Sequence, residues 1–200
     1  VAALGEMFST SRERLESWAY ISVATGVGSG IILNGQILRG FAGGAGELGH
    51  VSVNHQGIVC SCGSRGCLEN YISSPAVSQR LGDVGDYSDC FRILSSRVKA
   101  QEPVALRVYE ETVDYLATAI ISILNLLNPF AVIIGGDILE LGDAFLEDLR
   151  DEVGKGCGNV QFDCQQLVFS ALGADAGLYG GAILTDQHVF GLPQVGVEVK

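Results

Sequence analysis

The chain has 200 residues, of which 48% are hydrophobic and 18% charged, so we expect it to bury the core of one compact domain or of one lobe of a larger fold. Its 12 basic and 23 acidic residues leave a formal net charge of -11 without any cluster of lysine and arginine, which excludes DNA binding by this segment itself. Because no stretch of about eighteen residues is apolar throughout, and residues 1–6 lack the charged start and cleavage site of a signal peptide, we expect a cytoplasmic protein without membrane association.

The first 33 residues are predicted to contain the end of a helix and two strands. Residues 1–15 carry apolar side chains at helical spacing, and because the chain begins inside this pattern, we expect further sequence upstream. Residues 18–24 alternate in polarity and residues 30–33 form an apolar, β-branched run. Two strands are therefore expected to flank a glycine turn at residues 25–29.

The next segment combines a hairpin signal with an irregular insertion. Asn34-Gly35 stands between two apolar runs and favours a tight type I′ turn, because both residues tolerate positive φ, so a third antiparallel strand is expected at residues 37–38. Residues 41–66 have little periodicity and much Gly, Ser and Cys, which is typical of an irregular segment that carries function. The next clear element is predicted to begin only after Pro103.

The second half of the chain alternates helices with strands. Apolar residues recur three and four positions apart from residue 104 to residue 127, which predicts a long, buried helix that ends before Pro129. The elements expected after it are a strand at 130–134, an amphipathic helix at 141–153, a strand at 167–169 and a final helix at 176–189. This order predicts an α/β fold, a lobe of the actin-like ATPase (ribonuclease H-like) fold with a zinc-binding loop insertion.

Four side chains of the insertion form a predicted zinc site. His50, Cys60, Cys62 and Cys67 supply one imidazole and three sulfurs, the ligand set of a closed tetrahedral structural site, and the glycines between them let a short loop fold tightly. Protein fills all four positions, which argues against a catalytic metal, and we assign no catalytic residue in this chain. Two alternatives stay open: His55, closer to the cysteines, replaces His50, or the loop holds reduced cysteines without a metal.

Two carboxylates flank this predicted site. Glu47 precedes His50 by three residues and Glu69 follows Cys67 by two, so a bound metal would hold both acidic side chains in one small region. Carboxylates accept strong hydrogen bonds from the paired hydroxyls of a sugar, and a zinc-bound histidine can offer its other N–H to the same ligand. In the alternative interpretation both are solvated charges, and Glu69 simply favours the start of a short helix at residues 68–72.

Two motifs carry a resemblance to a known family. They are Gly26-Val27-Gly28-Ser29-Gly30, followed by Gly40 and Gly49-His50, and Cys60-Ser61-Cys62-Gly63-Ser64-Arg65-Gly66-Cys67-Leu68-Glu69, with further likeness at Asn128-Pro129, Gly135-Gly136 and Leu172-Gly173-Ala174-Asp175-Ala176-Gly177. This combination resembles the ROK family, the group of repressors, open reading frames and sugar kinases. The resemblance implies that residues 1–200 are the carboxyl-terminal portion of such a protein. It places a zinc and sugar-recognition loop at about 41–73 and a nucleotide-side lobe at about 17–40 and 103–190.

The resemblance also implies roles for individual residues. Glu47, His50 and Glu69 would contact a sugar, with His50 also on zinc. The positions that approach ATP in kinases of the family are, in this sequence, Thr25, Gly26 and Gly136.

Departures from the family pattern bear on the choice of function. Ala24 and Ser29 stand where kinases of the family usually have glycine, and their side chains would crowd a nucleotide. The family's catalytic aspartate and first phosphate motif belong upstream of Val1, so the chain as given is expected to be catalytically incomplete.

The altered glycine turn, with Ala24 and Ser29, favours a transcriptional regulator. The segment would then be the effector-binding and dimerising part of a sugar-responsive regulator, which contacts DNA only through an amino-terminal domain. The alternative is part of an ATP-dependent hexose kinase, with ATP and magnesium as cofactors. A third possibility is a zinc-binding remnant without a ligand. In each functional case the resemblance implies a small-molecule sugar and a homodimer or tetramer.

Overall fold

The computed structural model describes residues 1–9, 17–83, 87–158 and 162–190. Within these ranges the chain forms five strands and seven α-helices, connected by short turns and 3₁₀ helices. The first helix, α1, spans Ala2–Ser9, which confirms the beginning of the predicted amino-terminal helix. The rest of that prediction, residues 10–15, lies outside the described residues.

The five strands form one mixed sheet. They are β1 (Ser17–Val23), β2 (Val27–Leu33), β3 (Gln36–Ile37), β4 (Ala131–Gly135) and β5 (Leu167–Phe169). The strand order is β3-β2-β1-β4-β5, in which β2 is antiparallel to its neighbours and β1, β4 and β5 are mutually parallel. Both edge strands are short. The antiparallel hairpins followed by parallel crossovers confirm the predicted α/β architecture.

The structure confirms the predicted turn at Asn34-Gly35 but differs from the predicted glycine turn at residues 25–29. Asn34 and Gly35 have φ values of 51° and 72°, as a type I′ turn requires. The glycine turn, however, is tighter than predicted, because Val23 already pairs with Val27 and only residues 24–26 form the turn. Residues 27–29 belong to β2 instead, and Gly30 lies within this strand, as predicted. An added Cβ there would lie 2.5 Å from Ala3 Cβ, so this glycine permits close packing of α1 on the strand.

The remaining helices enclose the sheet. They are α2 (Glu69–Ile72), α3 (Ser74–Leu81), α4 (Cys90–Lys99), α5 (Pro103–Leu127), α6 (Asp143–Gly156) and α7 (Ala176–Phe190). The expectation that no clear element stands between residues 66 and 103 was therefore wrong. Helices α3 and α4 have 8 and 10 residues, too few turns for a strong periodic signal, and they are stabilised by packing against α5.

The sheet is buried on both faces, as its parallel strands require. Alternate residues of β1 divide between two clusters: Ala19, Ile21 and Val23 join the larger core under α5 and α6, whereas Trp18 and Tyr20 join a smaller core. The smaller core includes Ala3 of α1 and Ala176 of α7. Among the described residues, no helix combines the length and apolarity that a membrane span needs.

Candidate metal and ligand site

The loop that carries the three neighbouring cysteines folds back on itself as a short ladder. Isolated bridges pair Ser52 with Cys67 and Val59 with Arg65. At the tip, the Cys60 N–H donates to the Ser64 carbonyl at 2.8 Å, and the Gly63 N–H donates to the Cys60 carbonyl at 3.0 Å. Hydrogen bonds within the loop therefore hold its backbone in one conformation, and this conformation fixes the positions of the cysteine side chains.

The structure brings together the four side chains predicted as metal ligands. The donor atoms of His50, Cys60, Cys62 and Cys67 all lie within 4.8 Å of one another. Cys60 Sγ is 3.7 Å from His50 Nδ1, and Cys62 Sγ is 3.6 Å from Cys67 Sγ. Ligands about 2.3 Å from a tetrahedral zinc ion would stand about 3.8 Å apart, so these separations fit such an ion. His55 is exposed and is not part of this group.

The thiols of the cluster influence one another's protonation. The hydrogen bond from the Cys62 backbone, helped by the neighbouring thiols and His50, lowers the pKa of Cys60 to about 6. Burial, with contributions from the other two sulfurs, raises the pKa of Cys67 to about 11. One thiolate therefore hinders the formation of the next. A cation at the centre would remove that conflict, since it stabilises all of its thiolate ligands together.

The two predicted sugar-binding carboxylates belong to the segments that enter and leave the loop. Glu47 is exposed and precedes the 3₁₀ turn Leu48–His50, where the His50 N–H donates to the Glu47 carbonyl at 3.1 Å. Glu69 is half-buried at the start of α2, and its Oε2 accepts the Val27 N–H at 3.0 Å. Because His50 Nδ1 faces Cys60, its Nε2 is the nitrogen left to donate to a ligand.

The residues expected on the nucleotide side share one edge of the sheet. Thr25 and Gly26 form the exposed turn after β1, and Gly136 directly follows β4, the parallel neighbour of β1. Gly136 has a φ of 91°, and an added Cβ would lie 2.4 Å from the Val23 carbonyl oxygen, so only glycine fits there. The structure thus places all three at the carboxyl ends of adjacent parallel strands, where open α/β sheets bind ligands.

The expectation for Ser29 needs correction. This residue lies within β2, beyond the turn, and both its N–H and its Oγ donate to the Gly46 carbonyl at 2.9 Å. Its hydroxyl is therefore hydrogen-bonded to the segment before Glu47 and does not crowd the turn. Ala24 remains in the turn, half-buried.

One polar residue of this region was not identified from the sequence. Ser74, fully buried at the start of α3, donates its N–H to the Ala24 carbonyl at 2.8 Å and its Oγ to Asp137 Oδ2 at 3.3 Å. It therefore connects the turn after β1 with the segment after β4. The available signal was the helix start Ser73-Ser74-Pro75, because proline favours the first turn of a helix.

Comparison with known proteins shows what the chain is similar to. The family model described as the ROK family matches residues 1–188. A glucokinase of Halalkalibacterium halodurans is 33% identical over 205 residues, which cover 94% of this chain and 62% of that protein. A xylose repressor of Caldicellulosiruptor bescii is 31% identical over 205 residues, covering 96% of this chain and 51% of that protein.

A solved structure supports the same relationship. A ROK family glucokinase from Streptomyces griseus, in complex with glucose and AMPPNP, superposes with a TM-score of 0.78 at 28% identity, covering 93% of this chain and 65% of that one. The chain therefore spans between about half and two thirds of the length of these relatives. The likeness, together with the strand order, confirms the predicted actin-like ATPase fold.

Proposed function

The chain belongs to the ROK family, and from this premise we propose that it is a zinc-stabilised sugar-recognition domain, the effector-binding part of a sugar-responsive transcriptional regulator. One observation carries the proposal: four candidate zinc ligands, with donor atoms within 4.8 Å of one another, are flanked in sequence by Glu47 and Glu69. A closed zinc site of this kind stabilises the fold and fixes side-chain positions. It does not take part in a chemical reaction.

In this proposal each residue has a defined role. The zinc ligands are His50, through Nδ1, and Cys60, Cys62 and Cys67. The carboxylates of Glu47 and Glu69 accept hydrogen bonds from hydroxyl groups of the sugar, while His50 Nε2–H donates a hydrogen bond to one of its oxygens. A hexose or amino sugar suits this set, because it presents neighbouring hydroxyls to two acceptors and one donor. The glucose bound by the related S. griseus enzyme supports this class of ligand.

The preference for a regulator over a kinase rests on the turn after β1 and on the net charge of the segment. Ala24 stands in the turn where kinases of the family usually have glycine, which disfavours the close approach of a phosphate. The related xylose repressor supports a regulatory role. With a net charge of -11, this segment would leave DNA contact to another domain.

The second candidate function is that of an ATP-dependent sugar kinase. It is favoured by the open edge at which Thr25, Gly26 and Gly136 meet, and by the related glucokinases. In that case this chain would contribute the sugar site and one side of the site for MgATP, and a carboxylate base would come from elsewhere in the protein.

Calorimetric titration with hexoses, pentoses and amino sugars, each with and without MgATP, tests the proposal. Heat from a sugar but none from the nucleotide supports the regulator. Heat from MgATP together with phosphorylation of the sugar establishes the kinase instead. A protein that carries zinc but gives no heat with any sugar contradicts both.

The role of Glu69 is tested separately. We expect Glu69→Gln to weaken sugar binding by about tenfold or more, since a charged acceptor is lost, and to leave the zinc content unchanged. Glu110→Gln, an exposed change on α5, is the matched control and should alter neither quantity. Loss of zinc from Glu69→Gln, measured by elemental analysis, would contradict the assignment.

We also propose that the protein forms a homodimer or tetramer and lies in the cytoplasm. Phe41 is fully exposed, Ile58 is 54% exposed and Val59 is 59% exposed, and such apolar surface supports a homodimer or tetramer. A reducing compartment such as the cytoplasm suits a site built from three cysteine thiolates. Light scattering during size-exclusion chromatography determines the oligomer, and a monomer at micromolar concentration would contradict this part.

A further inference from the structure

The turn between β1 and β2 is held on both sides by residues that follow the last cysteine of the metal loop. On one side Glu69 Oε2 accepts the Val27 N–H at 3.0 Å. On the other the Ser74 N–H donates to the Ala24 carbonyl at 2.8 Å. Residues 24–27 are therefore bracketed by α2 and the start of α3, and their geometry depends on where that segment lies.

The carboxylate of Glu69 also covers the turn itself. A Cβ added to Gly26 would lie 3.0 Å from Glu69 Oε2. The same oxygen thus accepts the Val27 N–H and lies close to the position that a side chain at residue 26 would occupy. An ionised carboxylate can accept about four hydrogen bonds, so Oε1 remains available to a ligand while Oε2 stays on the turn.

We propose that Glu69, in addition to contacting the sugar, couples the sugar site to the turn at residues 24–27, an inference that rests on the proposed function. The Val27 N–H fixes the orientation in which Glu69 presents Oε1 to a sugar hydroxyl. Conversely, a hydroxyl bound at Oε1 withdraws electron density from the carboxylate and shifts its hydrogen bond to Val27. Such coupling is reciprocal, so a change in the turn must alter sugar affinity.

The coupling connects sugar binding to the neighbouring segment that follows β4. The turn lies beside Gly136, which is packed against the Val23 carbonyl, and Ser74 joins Ala24 to Asp137. A displacement of the turn is therefore transmitted to the segment after β4. In a regulator this would be the structural response to the effector, and in a kinase it would link the sugar to the nucleotide side.

Two glycines of the same hairpin provide a matched test. Gly26→Ala places a methyl group against Glu69 Oε2, whereas Gly28→Ala places one where no atom lies within 4 Å. Neither glycine has positive φ, so alanine introduces no backbone strain at either position. We expect Gly26→Ala to weaken sugar binding by about three- to tenfold, the effect of a disturbed hydrogen bond, and Gly28→Ala to change it by less than about twofold. Zinc content should be the same in both variants.

Nuclear magnetic resonance supplies a readout that a purely structural role would not affect. In the ¹⁵N-labelled, zinc-loaded wild type, the Val27 amide signal should move during the sugar titration with the dissociation constant found by calorimetry. Equal sugar affinity of Gly26→Ala and Gly28→Ala, or an unmoved Val27 amide while sugar binds, would overturn the coupling and leave the sugar site intact. Absence of sugar binding in the wild type would remove the proposed function, and this inference with it.

Discussion

Tyr71 joins the metal loop to the helical core through both ends of its side chain. Its hydroxyl accepts the Ile58 N–H at 3.1 Å, and its ring stacks on Tyr115 of α5 with centroids 4.2 Å apart. The loop can approach this hydroxyl only because residue 57 is glycine, where an added Cβ would lie 1.8 Å from Tyr71 Oη. One buried phenol therefore determines how the loop is seated on α2 and α5.

Removal of this hydroxyl should loosen the loop. Tyr71→Phe leaves the Ile58 N–H without its partner and should lower the free energy of unfolding by about 1 kcal/mol, while speeding the release of zinc to a chelator. Tyr115→Phe keeps the ring contact and removes a hydroxyl that makes no hydrogen bond among the described residues, so it is the control. Urea unfolding and chelator kinetics measure the two effects, and equal values for both variants would contradict this account of Tyr71.

The limits of prediction from sequence are visible at this scale. His50, Cys60, Cys62 and Cys67 could be identified because zinc ligands have characteristic types and spacings, and the structure does bring their donor atoms together. The hydrogen bond from Val27 to Glu69 joins residues 42 positions apart, and no local pattern encodes such a contact. Which oxygen of Glu69 stays available to a ligand thus follows only from the fold.

At the scale of elements, α5 supplies much of the core. Leu116 on its inner face is fully buried, whereas Leu126 near its end is 82% exposed. Leu116→Ala should lower the free energy of unfolding by about 2 to 5 kcal/mol through lost burial and a cavity, and Leu126→Ala should change it by less than about 0.5 kcal/mol. Chemical denaturation measures both. A similar loss in the two variants would mean that the burial of α5 is described incorrectly.

The contact between α5 and α6 should make stability depend on alkaline pH. The Tyr109 hydroxyl donates to Asp148 Oδ2 at 2.6 Å, and burial followed by this carboxylate raises the pKa of Tyr109 well above its ordinary value. The contribution is fully present below the unfolded pKa of about 10 and is lost as the pH rises through the folded value, because the unfolded chain ionises first. Tyr109→Phe should therefore flatten the decline of the melting temperature above about pH 10. An unchanged decline would contradict the assignment.

Element prediction succeeded where a local signal was strong. The 25 residues of α5 repeat their apolar pattern over several turns, and Asn34-Gly35 specifies its own turn through positive φ. Helices α3 and α4 were missed because short helices owe their stability to packing on α5, which the sequence does not display. The end of the glycine turn was misplaced because Val27, Gly28 and Ser29 are strand residues. Residue 30 is a glycine because Ala3 of α1 packs too close to β2 at this position for any side chain to fit.

At the scale of the whole molecule, the metal loop and the sheet are distinct parts of the structure. The predicted ligands lie between residues 50 and 67, whereas the core under α5 and α6 is formed mainly by β1, β4 and the helices, with Leu48 and Leu68 added from beside the ligands. Removal of zinc by a strong chelator should therefore abolish sugar binding and leave most of the far-ultraviolet circular dichroism in place. Readdition of stoichiometric zinc should restore binding. Complete loss of the helical signal after chelation would show that the metal supports the entire fold.

Both edge strands of the sheet are short, since β3 has two residues and β5 has three. Fibril growth needs a run of about six residues whose unpaired backbone groups can receive an incoming strand. Neither edge strand offers such a run, so within the described part of the chain the sheet gives a second copy of the protein no template for amyloid-like stacking. Concentrated preparations should accordingly remain negative for thioflavin fluorescence as long as the native state persists.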